Sequence, residues 1–73
     1  MNTIAPIKTR LQVLLYERGL SEASAAKLVG MQQRSMSNKV HRRTQFTLSE
    51  MKAIQKNLFP EMSLEEIFEG YGQ

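Results

Sequence analysis

The sequence predicts an all-α domain of five helices, and three observations favour it. Apolar residues recur at three- and four-residue steps through most of the chain, and no stretch alternates with period two. Good helix caps precede the apolar segments, and glycines or a proline follow them. The 73 residues suffice for one small domain, and the absence of cysteine leaves packed helices to stabilise it.

The first helix is predicted from an apolar stripe that ends at Gly19, with Arg18 in its last turn. Pro6 suits its first turn, where a missing N–H costs nothing. The stripe consists of Ile4, Ile7, Leu11, Leu14 and Leu15. Tyr16 is expected to pack at the edge of this helix. Ser21 is a good N-cap for a short second helix, EASAAKLV, whose alanines let another helix approach closely.

The third helix is predicted to start near Gln32, after Gly30 has ended the second helix. Met36 and Val40, four residues apart, are its apolar anchors to the core, and the rest of its surface is polar. The following HRRTQF is predicted to be a turn or loop.

Two capping boxes mark the starts of the last two helices. Thr47 stands three residues before Glu50, and Ser63 stands three residues before Glu66. Pro60 closes the fourth helix, and residues 70–73 are expected to fray. The residues predicted to be buried are Leu48, Met51, Ala53, Ile54 and Leu58 in the fourth helix and Leu64, Ile67 and Phe68 in the fifth.

Charge is unevenly distributed along the chain. Residues 1–43 hold eight Lys and Arg residues against two Glu, whereas residues 44–73 hold two Lys against five Glu. No acidic residue occurs from Lys27 through Gln45. A basic half in a small domain is typical of a surface for a polyanion such as nucleic acid, and a solubilising surface is the alternative.

A short helix, a glycine-containing turn and a polar helix with sparse apolar anchors predict a helix-turn-helix over about residues 21–41. Such a motif presents the start of its second helix to the major groove, where Gln, Asn, Arg and Ser read base edges. The predicted base-reading residues are Gln32, Gln33, Arg34, Ser37 and Asn38. The predicted phosphate contacts are Ser21, Lys27, Lys39, His41, Arg42 and Arg43.

These features give residues 7–68 a resemblance to the Cro/CI-type, or lambda-repressor-like, helix-turn-helix family, especially its small regulators from Gram-positive temperate phages. The resemblance is carried by ERGLS before the second helix, Ala26 and Gly30 within the motif, the two anchors of the third helix, FTLSE and SLEEIF. It implies a five-helix domain that binds a double-stranded DNA operator, usually as a homodimer, and a Cro-like repressor of a lysogeny switch.

Two departures from the family pattern bear on this function. Glu22 stands where the family often has a glutamine that contacts a phosphate, and its charge would repel one. His41, Arg42 and Arg43 replace an Asn-Gly-Lys segment, so a positive φ that glycine adopts easily would strain Arg42. The first departure keeps open an antirepressor or modulator, which would act in a heterocomplex with a phage repressor protein.

Other classes of function are not expected from the sequence. The single histidine and the absence of cysteine disfavour an enzyme with a small-molecule substrate, a metal site or a cofactor. The longest strictly apolar run, Val13 to Tyr16, is too short to span a membrane, and no secretory signal begins the chain. We therefore expect no membrane partner and a location in the cytoplasm of a bacterial host cell.

Overall fold

Five helices follow one another along residues 8–71, the part of the chain that the computed structural model describes. They are α1 (Arg10–Glu17), α2 (Glu22–Val29), α3 (Gln33–Val40), α4 (Leu48–Leu58) and α5 (Leu64–Ile67). These residues contain no strand, so the prediction of an all-α chain is confirmed for them.

Polar side chains fix where four of the helices begin. Each cap accepts a hydrogen bond from the backbone N–H three residues later, which satisfies one of the donors that a helix start leaves unpaired. These caps are Thr9, Ser21, Thr47 and Ser63. The predicted capping boxes of α4 and α5 are both formed, so these two starts follow the sequence.

The start of α1 differs from the prediction. Thr9 and Gln12 form a capping box, and the helix begins at Arg10. The helix therefore starts after Pro6 and not around it. Ile4, Pro6 and Ile7 lie outside the described residues.

The core contains buried apolar side chains from every helix. Its members are Leu11, Leu14, Leu15, Ala25, Ala26, Met36, Val40, Ile54, Leu58, Phe59, Ile67 and Phe68. Ala25 and Ala26 are almost fully buried, and α2 packs against both α3 and α4. Small side chains allow this close packing, as the alanine-rich sequence predicts. Met36 and Val40 are also buried, which confirms them as the anchors of α3.

Two apolar residues expected to pack inward are exposed. Leu48 is 58% exposed because Thr47, Leu48 and Ser49 form an exposed first turn, and α4 reaches the core only further along, at Ile54 and Leu58. Tyr16 is 83% exposed because the helical rotation of about 100° per residue places it on the side of α1 opposite Leu11, Leu14 and Leu15. Both burial predictions were wrong.

The end of the described chain is packed against the core. The Tyr71 hydroxyl donates to the Val40 carbonyl over 2.5 Å and accepts from the Leu11 N–H over 3.3 Å. Its ring stands edge-on to Phe68, with centroids 6.0 Å apart, and lies 5.9 Å from the ring of Phe46. Tyr71 lies in the segment that the sequence predicts to fray, and two hydrogen bonds and an aromatic cluster connect it to the core. Residues 72–73 lie outside the described residues.

This packing predicts a pH effect at alkaline pH. Burial raises the pKa of the Tyr71 phenol above its ordinary value of 10.0. A raised pKa means that the stability from this group is complete below pH 10.0 and is lost as pH rises through the folded-state pKa. In the Tyr16→Phe protein, where Tyr71 is the only tyrosine, tyrosinate absorbance should appear at higher pH in the folded chain than in urea. Identical titrations in the two states would contradict the half-buried hydroxyl.

Candidate nucleic-acid interface

The turn between α2 and α3 sets the direction of α3. Gly30 ends α2 with a φ of 77°, in the left-handed region that favours glycine. The Met31 N–H then donates to the Ala26 carbonyl over 2.8 Å, which pairs a carbonyl at the end of α2. Met36 and Val40 face the core, and the polar side chains at the start of α3 are exposed.

The leading end of α3 is exposed. Gln32, Gln33 and Arg34 are all exposed, and Gln32 occupies the N-cap position without a side-chain capping hydrogen bond. Amide and guanidinium groups therefore stand at the start of a helix that is anchored from behind. These three predicted base-reading residues lie together in the structure.

The other two predicted base-reading residues lie further along the helix. Ser37 and Asn38 are half-buried. The Asn38 side-chain oxygen accepts from Nη1 of Arg43 over 3.2 Å, and its backbone carbonyl accepts from the Arg43 N–H over 2.8 Å. A predicted base-reading residue and a predicted phosphate contact therefore touch each other at the trailing end of α3.

Lys39 forms an ion pair with Glu50. Its Nζ lies 2.7 Å from both carboxylate oxygens of Glu50, and the two side chains are 16% and 24% exposed. The same carboxylate accepts from the Thr47 N–H over 2.9 Å. Glu50 thus caps α4 and joins it to α3, and it neutralises a charge that the sequence assigns to phosphate binding.

The Glu50 network predicts an acid-sensitive contribution to stability. Burial raises the pKa of Glu50, but hydrogen bonds from Lys39 and Thr47 outweigh it, so the pKa lies below its ordinary value of 4.5. A lowered pKa means that the contribution is present above pH 4.5 and is lost as pH falls through the folded-state pKa. We expect Glu50→Gln to lower the urea midpoint at neutral pH and to reduce its decline at acidic pH. The matched control is Glu65→Gln on α5, which should leave that decline unchanged, and an equal response would contradict the assignment.

Glu22 and His41 join the start of α2 to the end of α3. His41 Nε2 lies 2.8 Å from Glu22 Oε2, and both side chains are half-buried. The carboxylate in the position where the family often has glutamine is therefore bonded within the chain. One ring nitrogen of His41, a predicted phosphate contact, is therefore bonded to this carboxylate.

Arg42 adopts the strained backbone that the sequence predicts. Its φ is 64°, a left-handed conformation that is unfavourable for a residue with a Cβ atom. Its Nη1 donates to the Gly70 carbonyl over 2.8 Å, and its guanidinium carbon lies 5.8 Å from the centre of the Tyr71 ring. The Arg42 side chain is thus directed toward the end of the described chain.

The remaining predicted phosphate contacts lie on α2. Ser21 Oγ accepts from the Ser24 N–H over 3.0 Å and bonds the Ser24 hydroxyl at the same distance, so its main contact is the helix cap. Lys27 is exposed in the last turn of α2. Lys27 and Arg34 are thus exposed cations on the α2–α3 pair, together with Arg43 just beyond it.

Sequence reasoning missed the partners of Lys39 and Arg42. Glu50 was recognised as a helix cap, but nothing in the helix periodicity indicates that a carboxylate eleven residues after Lys39 returns to it across the loop. The Gly70 carbonyl has no side-chain signal at all, because a backbone atom accepts from Arg42.

Comparison with models of known protein families, with curated proteins and with solved structures finds no match to this chain. Over residues 8–71, no helix combines the length and apolar character needed to cross a membrane. The same residues contain no group of three or more acidic or histidine side chains placed to hold a metal ion.

Proposed function

We propose that this chain is a sequence-specific DNA-binding transcriptional regulator of the lambda-repressor-like helix-turn-helix type. Its target would be a double-stranded operator in a bacterial host cell, and its role a Cro-like repressor in a phage lysogeny switch. The observation that carries the proposal is the exposed Gln32, Gln33 and Arg34 at the start of a helix whose opposite face is buried.

The chemistry of these three side chains matches base edges. Glutamine offers one donor and one acceptor side by side, which pairs bidentately with adenine, and arginine pairs bidentately with guanine. Met36 and Val40 anchor the opposite face of α3 in the core, so the helix that carries the three side chains is fixed in position. The absence of acidic residues from Lys27 through Gln45 removes repulsion from the phosphates that flank a groove.

Internal pairs reduce the number of cations that are available for phosphates. Lys39 is paired with Glu50, His41 with Glu22, and Arg42 with the Gly70 carbonyl. If Lys27 and Arg43 remain for phosphates, the logarithm of the binding constant should fall with that of salt concentration with a slope of about −2 per protein. A homodimer on two half-sites would double this slope and add the affinity that one small domain lacks.

In vitro selection from random duplex DNA at near-physiological salt tests the proposal. Enrichment of a palindromic site, with half-sites about one helical turn apart, would support a dimeric operator reader. If the folded protein enriches no sequence, the proposal of sequence-specific DNA binding is wrong. Circular dichroism of the selected sample distinguishes that outcome from an unfolded preparation.

A second candidate is an antirepressor that binds a partner phage repressor protein. The internal pairing of Lys39, His41 and Arg42 favours it, because these cations are partly withdrawn from phosphate binding. It predicts a stable heterocomplex with a repressor, measurable by size-exclusion chromatography. That complex should survive loss of the Gln33 and Arg34 side chains, whereas DNA binding should not.

A further inference from the structure

An open groove runs between α1 and the start of α2. Val13 and Tyr16 of α1 line it together with Leu20, and Gln33 of α3 lines it as well. Tyr16 is 83% exposed and Val13 37% exposed, so the Tyr16 ring protrudes at the edge of the groove. A protruding aromatic ring beside an apolar groove is a surface that can be complementary to itself.

Two charges of the α1 segment line the groove. Lys8 precedes the helix and Glu17 ends it, and both residues are exposed. The other charges nearby have partners within the chain: Arg10 donates to the Glu66 carbonyl, Arg18 pairs with Glu61, and Glu22 pairs with His41. Two such helices packed antiparallel would place Lys8 of each copy against Glu17 of the other. The axis between them would pass near Gln12 and Val13, midway between the two charges. Parallel packing would instead oppose like charges, so the pattern favours one arrangement.

We propose that this groove binds a second copy of this chain through antiparallel packing of the two α1 helices. Each Tyr16 ring enters the groove of the other copy at the end formed by Lys8 and Gln12, three to four residues beyond the axis. The contact is isologous and closes as a dimer. A helix of two turns buries less than the about 1,200 Å² of a standard stable interface, so dimer and monomer exchange.

This pairing does not depend on the proposed DNA binding. Ser21 and Gln33, two predicted DNA contacts, also line the groove, so a second copy bound there would compete with DNA for these residues. The dimer is therefore tested on the free protein, without DNA.

The absence of cysteine makes a site-specific cross-link a clear test. Val13→Cys places one thiol near the proposed axis, where the thiols of the two copies would be close together, as a disulfide requires. Leu28→Cys and Leu48→Cys are matched controls, because these leucines are 55% and 58% exposed and lie on other helices. Under mild oxidation we expect the Val13→Cys protein to cross-link several-fold faster than either control. Equal or faster cross-linking of the controls would overturn the proposal, since it would reflect random collision.

A charge exchange tests the antiparallel geometry with an otherwise intact chain. Lys8→Glu and Glu17→Lys should each shift sedimentation toward the monomer, and the double variant should restore the dimer. Failure of the double variant to restore association would exclude this arrangement, as would a wild-type chain that stays monomeric up to millimolar concentration. Cross-linking that appears only after residues 1–7 are deleted would also overturn the proposal, because it would identify that segment as the occupant.

Discussion

Phe59→Ala is expected to lower the free energy of unfolding by about 3–5 kcal/mol, the largest effect of any substitution considered for this chain. Phe59 is fully buried and is the largest such side chain in the described core. It immediately follows α4, so its ring fills the space where that helix ends. Truncation to alanine removes the apolar contacts and leaves a cavity that the surrounding helices close only in part.

The ring also supports a neighbouring polar contact. The Arg18 guanidinium carbon lies 4.8 Å from the ring centre, and its Nη1 donates to the Leu58 carbonyl over 2.7 Å. Arg18 pairs with Glu61 as well. Removing the ring withdraws one wall of this site, which ties the end of α1 to the end of α4.

Urea unfolding followed by circular dichroism measures the effect. A domain of this size has a stability of only about 3–5 kcal/mol from its core, so the variant should be largely unfolded. Phe59→Leu keeps a large apolar side chain and should be less damaging. Tyr16→Ala is the matched aromatic control, and we expect a change within about 0.5 kcal/mol because its ring is exposed. Similar losses from the Phe59→Ala and Tyr16→Ala proteins would mean that the core is wrongly assigned.

The helices could be predicted because their signals are local. Ser21, Thr47 and Ser63 cap helices within three residues of themselves, and Gly30 ends α2 through its own backbone. The start of α1 carries the same signal, Thr9 three residues before Gln12. There, the apolar stripe and Pro6 suggested an earlier start. A capping pair within three residues is the stronger indicator, because it satisfies specific N–H groups.

Burial was harder to predict than helix type. Leu48 fits the apolar stripe of α4, but the stripe does not state where along its length the helix meets the core. Phe59 and Tyr71 lie outside helices, where periodicity predicts nothing. Phe59 is buried and Tyr71 half-buried through contacts between distant segments. Such contacts depend on how the helices pack, which no local pattern encodes.

At the candidate interface, too, local features could be predicted and contacts between helices could not. The polar composition of α3 and its two anchors predict which face is exposed, and Gln32, Gln33 and Arg34 are exposed. The pairing of Lys39 with Glu50 and of His41 with Glu22 joins different helices. A count of cations along the sequence therefore overstates the positive charge that this surface offers.

Arg34→Ala is expected to weaken binding to the selected operator by about 1–3 kcal/mol and to relax base preference at one position. Under the proposed function, the variant would lose a bidentate contact to guanine while the helix stays folded, since Arg34 is exposed. Binding titrations on the operator and on its single-base variants measure both effects. The matched control is Lys52→Ala, another exposed cation that lies on α4, which should leave base preference unchanged.

Arg43→Ala should give a different pattern, and the difference is informative. If Arg43 contacts a phosphate, as proposed, its loss should weaken binding to all sequences alike and make the salt slope shallower by about 1. Arg43 also bonds the Asn38 side chain over 3.2 Å, so any change in preference should fall at the base nearest Asn38 and not at the Arg34 position. If Arg34→Ala and Arg43→Ala both leave DNA binding unchanged, α3 does not enter the groove in this orientation. Retained repressor binding by the same two variants would then favour the antirepressor, because an unused DNA surface would coexist with an intact protein interface.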